Sequence, residues 1–228
     1  MGGQFLESRR WTGGEATIRE ALQATEPVHA TTALGMLAGV NGRGGWSLAI
    51  GAEYHAGRYD FRHTDRFQTR HDSIFNHVIT FNSLVLQTTT DTITTYRQEQ
   101  RIAASVNRYA MLRIPLELGW HAPLGRFRLG ARAGVALELT DLRSGTLLVN
   151  GPEGPLSVEV QPAHKQCMSV LGGSVGADLG YILTEQWSLW ASPVYEKGLL
   201  SLLPPDNSPY ALAERSGIRL RLAYTFRP

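Results

Sequence analysis

The feature that most constrains this chain is an alternation of apolar with small or polar side chains, which recurs along seven segments. Between Trp46 and Tyr54, for example, the even positions carry Trp, Leu, Ile, Ala and Tyr, and the odd positions carry Ser, Ala, Gly and Glu. A period of two residues places alternate side chains on opposite faces of a β-strand. The segments with this pattern are 30–40, 46–57, 107–120, 126–140, 168–183, 187–197 and 215–227. The sequence therefore predicts strands with one apolar and one mixed face.

The connections between these segments are alternately short and long. The short ones are 41–45, 121–125 and 184–186, and the long ones are 58–106, 141–167 and 198–214. Outer-membrane barrels combine short turns at one end, long loops at the other and an even number of strands. An eighth strand is then required, and residues 4–11 are the segment left to form it, although their apolar and charged side chains share one face. An alternative choice for the eighth strand is 78–86, but it would break the alternation of short and long connections.

The predicted fold is all-β: an eight-stranded antiparallel up-and-down transmembrane β-barrel over residues 1–228, whose long extracellular loops form hairpin extensions. Charged residues make up 18% of the chain, and several of its 24 glycines lie on the mixed face. Small side chains suit the narrow interior of an eight-stranded barrel, whereas a soluble lipocalin-like barrel, the alternative, turns its apolar face inward. Aromatic residues at the ends of an apolar face are typical of membrane interfaces. The predicted aromatic girdle is Trp46, Tyr54, Trp120, Phe127, Tyr181, Trp187, Tyr195, Tyr224 and Phe226.

Charged residues on the mixed face nearly balance, and a charge inside a barrel needs a partner. We therefore expect an interior network of Glu53, Arg113, Glu117, Arg128, Arg132, Glu138, Asp178, Glu196, Arg219 and Arg221. A turn centred within 121–125 would place Glu117 opposite Arg128, and Arg113 opposite Arg132. Because side chains fill so narrow an interior, we predict no channel.

Three segments resemble the PorT-like outer-membrane β-barrel domain family: GGWSLAIGAEY (44–54), RYAMLRIPLELGW (108–120) and LGRFRLGARAG (124–134). The tyrosine before a leucine-x-isoleucine-proline-leucine strand is the most specific part, and the resemblance covers about residues 30–228. It implies a small eight-stranded barrel in a Gram-negative outer membrane and brings no catalytic residues. Some similar domains end longer envelope-spanning proteins, so the resemblance also implies an anchor or sensor domain as an alternative.

The two ends of the chain differ in what they indicate about targeting. Met1 is followed by neither a basic nor an apolar signal region, so we expect a signal peptide or a larger N-terminal region ahead of it. The final strand carries Phe226 before Arg227 and Pro228. Outer-membrane strands commonly finish on an aromatic residue, and this chain departs from that pattern by two residues; we still expect the assembly machinery to recognise this strand.

The long connections are predicted to have structure of their own, because loops longer than ~15 residues usually do. Segments 78–81 and 88–96 are expected to form one hairpin that continues the barrel wall above the membrane, 147–149 and 156–160 a second hairpin, and 15–23 a helix. Arg58, Arg62, Arg66 and Arg70 are the candidate residues for contact with lipopolysaccharide phosphates. The candidate residues for binding a protein partner lie in an apolar external loop: Leu199, Leu200, Leu202, Leu203 and Tyr210.

The sequence offers little support for chemistry. His71, Asp72 and Ser73 are hydrolase-type residues, but neighbours on a strand point to opposite faces, which argues against one relay. The spacing of His55, His63, His71 and His77 matches no metal-ligand pattern, and the lone Cys167 excludes a cysteine-based zinc cluster. A net charge of +2 gives no excess for nucleic acid. We predict no catalytic residue, metal site, cofactor or nucleic-acid partner.

The predicted function is that of a non-enzymatic integral protein of the bacterial outer membrane, in contact with its lipids and lipopolysaccharide. Its external loops would bind a ligand or protein partner, or the barrel would anchor a larger envelope protein. A lipid A-modifying enzyme and the soluble lipocalin-like barrel are the alternatives.

Overall fold

The computed structural model describes residues 1–12, 15–82, 84–151, 154–160, 167–202 and 210–226. Its elements are β1 (Gly2–Thr12), α1 (Ala16–Thr25), β2 (His29–Asn41), β3 (Trp46–Phe81), β4 (Leu84–Leu124), β5 (Phe127–Ser144), β6 (Thr146–Gly151), β7 (Gly154–Glu159), β8 (Cys167–Ile182), β9 (Trp187–Ser201) and β10 (Tyr210–Tyr224). Eight strands close into a barrel in the order β1-β10-β9-β8-β5-β4-β3-β2, and β6 and β7 form a separate hairpin. All barrel neighbours are antiparallel. The predicted eight-stranded up-and-down barrel is confirmed.

The barrel has a turn end, with the connections 42–45, 125–126 and 183–186, and a crown end, where the long connections lie.

The predicted register across the β4–β5 turn is wrong. Leu124 pairs with Phe127, so the turn consists of Gly125 and Arg126, and Gly125 has a φ of +64°, which glycine adopts without strain. Because the turn lies three residues later than expected, Glu117 is opposite Gly134, and Arg113 is opposite Glu138.

The first strand extends slightly beyond the predicted 4–11 and pairs with both β2 and β10. Its odd positions, including Phe5, Glu7 and Trp11, are buried inside the barrel. Its inner face is thus itself mixed, which explains the weak sequence pattern. Its pairing with both neighbours begins at Gly2, which lies opposite Leu34 and Leu220.

The outer and inner faces of the wall have the orientation expected for lipid contact. Leu48, Ile50, Leu129 and Leu220 are exposed on the outer face, as is the aliphatic row of β4 around Leu116. The inner charges, described below, are buried. A soluble barrel with an apolar interior is therefore excluded, and the fold is that of a transmembrane β-barrel. No helix among the described residues is long and apolar enough to cross a membrane.

The crown end is covered by α1 and by the β6–β7 hairpin. Ile18 and Leu22, one helical turn apart on α1, pack with Trp11, Phe61 and Leu148. This cluster closes the crown end with apolar side chains. The hairpin predicted from 147–149 and 156–160 corresponds to β6 and β7, and the helix predicted at 15–23 corresponds to α1.

The connection 58–106 continues the barrel wall, as the hairpin predicted from 78–81 and 88–96 implied, but its strands are longer than expected. β3 and β4 extend through the whole connection and pair from Trp46–Trp120 up to Phe81–Leu84, with a register shift between Ile79 and Thr80. The barrel strands 46–57 and 107–120 are therefore the lower parts of strands of 36 and 41 residues. The ribbon projects far beyond the rest of the crown.

Candidate functional site: a charged interior and a hairpin arm

The centre of the barrel is occupied by Arg215, which binds three carboxylates at once. Its Nε lies 3.0 Å from Glu7, its Nη2 lies 2.6 Å from Glu138, and its Nη1 lies 3.0 Å from Glu196. All four side chains are buried. Glu7 on β1 and Glu196 on β9 are the direct cross-strand neighbours of Arg215 on β10. Glu138 lies on β5, so the guanidinium joins three adjacent strands to β5 across the lumen.

Two further arginines extend this network. Arg219 Nη1 lies 2.6 Å from Glu117, and its Nη2 lies 2.8 Å from Glu196 and 3.2 Å from Glu53. Arg113 Nη1 lies 2.8 Å from the same Glu53. Shared carboxylates join the three guanidinium groups into one hydrogen-bonded unit, in which buried charges compensate one another.

Towards the turn end, Asp178 continues the network. It accepts hydrogen bonds from Arg132, from Arg221 at 3.0 Å and from His121 at 2.9 Å. Arg132 also donates to Glu117 at 2.8 Å, which links this group to the centre.

Towards the crown end, the network continues through Arg9 and Glu26. Arg9 Nε lies 3.0 Å from Glu7, and its Nη1 lies 3.8 Å from Glu26. Glu26, just after α1, accepts hydrogen bonds from Trp11 Nε1 at 3.1 Å and from the Tyr59 hydroxyl at 2.6 Å. The segment after α1 is thus tied to the barrel interior.

Most of the charges that sequence analysis placed in the interior are brought together. Those in contact are Glu53, Arg113, Glu117, Arg132, Glu138, Asp178, Glu196, Arg219 and Arg221. Arg128 is a correction: it lies one residue from the start of β5, at the turn end, and its side chain is exposed. Sequence analysis missed Glu7, Arg9 and Arg215, although Arg215 shares its odd parity with Arg219.

The network fills the lumen at mid-height. A residual cavity of about 20 Å³ beside Glu7, Tyr109 and Arg215 has room for about one water molecule. A larger cavity of about 510 Å³ opens at the turn end and is lined by Arg132 and Trp190, among others. The arrangement is that of a plugged barrel with a turn-end vestibule.

The nine aromatics predicted as a girdle all lie on the outer face, unevenly distributed. The turn-end group is Trp46, Trp120, Phe127, Tyr181, Trp187, Tyr224 and Phe226. In it, the ring centroids of Phe127 and Tyr181 are 5.1 Å apart. The crown-end group consists of Tyr54 and Tyr195 alone among the described residues. Aromatic residues therefore mark the turn-end boundary of the apolar band more densely than the crown-end boundary.

The part of β3 and β4 that projects beyond Asp65 is here called the hairpin arm (residues 66–82 and 84–100). Over its described length, no hydrogen bond or ion pair joins the arm to another element. Its exposed apolar side chains are Ile74, Phe75, Val78, Ile79, Leu84, Ile93 and Tyr96. From Asp65 to Phe81, the arm extends roughly 50 Å at ~3.3 Å per residue. Isolated two-stranded ribbons are marginally stable in water.

The base of the hairpin arm is fixed by Asp65. Its Oδ1 accepts the backbone N–H of Ser157 at 2.8 Å, its Oδ2 accepts the Ser157 hydroxyl, and Arg101 Nη2 lies 2.9 Å away. Burial raises the pKa of Asp65, but these hydrogen bonds outweigh it and hold the pKa below its ordinary value. The ionised carboxylate thus clamps β3 to β7.

We expect this clamp to open in acid. Because the pKa of Asp65 is lower in the folded chain, its contribution is complete above the ordinary carboxyl range and is lost as the pH falls through the lowered pKa. Hydrogen exchange at the Ser157 amide reports the clamp. The protection of the Ser157 amide against exchange should be lost as the pH falls through the lowered pKa of Asp65. At neutral pH, Asp65→Ala should reduce this protection about tenfold. Asp72→Ala, on the arm, is the control; equal protection in both variants would contradict the clamp.

The candidate binding residues lie in two places. Arg58, Arg62, Arg66 and Arg70 occupy even positions of β3 and are exposed on its outer face. Leu199, Leu200 and Leu202 are exposed at the crown end of β9, and Tyr210, half-buried, begins β10. Leu203 lies outside the described residues. The arginine row and the leucines are therefore on different strands, and they form separate surfaces.

The residues considered for chemistry do not converge. His71, Asp72 and Ser73 are exposed on the hairpin arm, where Asp72 accepts hydrogen bonds from Arg70 at 2.9 Å and Thr94 at 2.7 Å. Within the described chain, neither His71 nor Ser73 contacts that carboxylate through its side chain. Across all described residues of the chain, no group of three or more His, Cys, Asp or Glu side chains could hold a metal ion. The geometry therefore offers no catalytic relay at this position.

No protein-family model matches the chain, and no curated protein matches it. It is similar to the solved structure of Neisserial surface protein A, with 8% identity and a TM-score of 0.44 over 98% of this chain and 96% of that one. It is less similar to the lysenin pore, with 7% identity and a TM-score of 0.12 over 98% of each chain. At these values the likeness adds nothing to the barrel's own strand order, and the PorT-like resemblance stays a prediction.

Proposed function

We propose that this protein is a non-enzymatic binding protein of the bacterial outer membrane, which uses its hairpin arm to bind a protein partner outside the cell. The closed barrel supports membrane insertion, because it leaves no edge unpaired over most of its circumference. Short turns at one end and long connections at the other support an outward-facing crown.

The observation that carries the proposal is the exposure of the hairpin arm. Its strands pair with each other along their length, and each has a second edge with no partner strand among the described residues. Phe75 and Ile93 lie on the same face of the ribbon, and Ile74 lies on the other. Exposed strand edges with apolar side chains on both faces favour addition of a strand or a surface from another chain.

A protein partner fits this arm better than a small molecule. Small ligands bind in concave sites that surround most of their surface. A two-stranded ribbon has no such cavity, but it offers backbone donors and acceptors along two edges. An anchor domain of a larger envelope protein, the other function inferred from sequence, gives the arm no role.

The test is site-specific photo-crosslinking in living cells. A photo-reactive amino acid at Phe75 or at Ile93 should give an adduct with the same protein. The matched control is Ile102 on β4, which is exposed just below the arm and should give no such adduct. A second variant replaces residues 69–97 by Asn-Gly, which joins the paired Gln68 and Gln98 through a tight turn.

The shortened chain should still fold, with heat-modifiable gel mobility, while its purified form should no longer bind the identified partner. Two results would contradict the proposal. One is the same adduct from Ile102 as from the arm, and the other is unchanged partner binding by the shortened barrel.

A further inference from the structure

Three arginines lie side by side on the outer face, at the crown end of the apolar band. Arg58 of β3 is paired directly with Arg108 of β4. Arg108 in turn pairs with Ser144 of β5, and the register shift at this point makes Arg143 the extra residue beside it. Directly opposite residues have Cβ atoms ~4.5–5.5 Å apart. Arginine side chains that start from such neighbouring positions are long enough to converge on one anion.

Their positive charge is not neutralised by the described residues. No ion pair within 4.0 Å involves Arg58, Arg108 or Arg143 in that part of the chain. The acidic residues nearest along the strands on this face, Asp60 and Asp141, form no such pair with them. Like charges placed directly opposite each other destabilise a sheet. The buried arginines of the lumen, by contrast, each have a carboxylate.

The arginines sit at the level where a lipid head group would lie. The Arg143 guanidinium is 5.8 Å from the ring centroid of Tyr54, a crown-end aromatic. Leu112 and Leu139 continue the row of Tyr54 across β4 and β5, and towards the turn end this face is aliphatic. Positive charge above an apolar wall complements an amphiphile with an anionic head and acyl chains.

We propose that Arg58, Arg108 and Arg143 bind the phosphate monoester of a membrane lipid whose acyl chains lie on Leu112 and Leu139. A phosphate monoester carries a charge of about −1.5 to −2 at neutral pH and has three acceptor oxygens. Guanidinium forks bind phosphate oxygens in pairs. A phosphodiester, with one charge, matches three arginines less well. This site is independent of the protein-binding role proposed for the hairpin arm.

The test measures lipid retention by the purified full chain with native mass spectrometry. The probes are phosphatidic acid, which has a phosphate monoester, and phosphatidylglycerol, a phosphodiester of the same chain length. The test variant is Arg58→Gln/Arg108→Gln/Arg143→Gln. The control, Arg66→Gln/Arg70→Gln/Arg97→Gln, removes the same charge from exposed positions on the hairpin arm. Heat-modifiable gel mobility verifies that both variants fold.

The parent chain and the control should retain phosphatidic acid over phosphatidylglycerol, and the test variant should lose about tenfold or more of that retention. Equal loss in both variants would overturn the proposal, because net charge would then explain binding. Equal retention of both lipids by the parent chain would overturn the phosphate monoester as ligand. Displacement of the lipid by millimolar inorganic phosphate would assign the arginines to the free ion instead.

Discussion

Replacing Arg215 by alanine is expected to destabilise the barrel and to reduce its free energy of unfolding by about 3–5 kcal/mol. This is the cost of breaking a buried ion pair by removing one partner. Glu7, Glu138 and Glu196 would each lose a guanidinium contact of 2.6–3.0 Å in a space that is nearly closed to water. Urea unfolding in lipid vesicles, followed by tryptophan fluorescence, measures the loss.

The matched control is Arg128→Ala. Arg128 has the same chemistry and lies on the same inward parity, but its side chain is exposed at the turn end, so the change should stay within about 0.5 kcal/mol. Arg215→Lys should give an intermediate loss, because an ammonium group cannot bridge three separated carboxylates as a guanidinium fork does. If Arg215→Ala were as stable as Arg128→Ala, the interior network would not hold the barrel together.

The strand order and the facing of side chains could be predicted because both follow from local properties of the sequence. A lipid-facing position and a lumen-facing position alternate, so Leu116 and Glu117 reveal their environments by parity alone. The alternation of short turns and long connections then predicts the order of the strands around the barrel. Even the eighth strand, β1, follows from this order, although its own pattern is weak.

Contacts inside the lumen could not be predicted in the same way. Parity says that Arg128 and Arg215 both face inward, but not how far each lies from the barrel ends. A turn that lies three residues later than expected moves Arg128 to the rim, and it leaves Arg113 opposite Glu138. Arg215, by contrast, reaches carboxylates on strands far from it in sequence, and this depends on closure of the barrel.

The hairpin of the arm was predicted from 78–81 and 88–96, but its full length was not, for a different reason. Within the membrane one face of each strand meets lipid, and this produces the alternation. Beyond Asp65 most side chains on both faces of the ribbon are exposed, so the alternation lapses while the strands continue. The threonine-rich run opposite residues 71–78 does show strand propensity. That propensity predicts a hairpin that continues the barrel wall, but it does not indicate that the same two strands also pair throughout 58–77 and 97–106.

The second large effect concerns the outer face itself, which we take to touch acyl chains. Leu116 is 44% exposed, midway between Leu112 and the turn-end Trp120 of β4, and Ile102 on the same face of this strand is 60% exposed above the band. An arginine facing lipid near the bilayer midplane costs about 2–4 kcal/mol, and the cost falls towards the interfaces. Leu116→Arg should therefore be strongly destabilising, and Ile102→Arg nearly neutral.

The most direct measurement is the difference in folding free energy between Leu116→Arg and Ile102→Arg in lipid vesicles of one composition. We expect Leu116→Arg to be less stable by about 2 kcal/mol or more. A difference near zero, with Leu116→Arg folding as well as Ile102→Arg, would mean that this aliphatic band faces water, and the transmembrane interpretation of the barrel would be wrong.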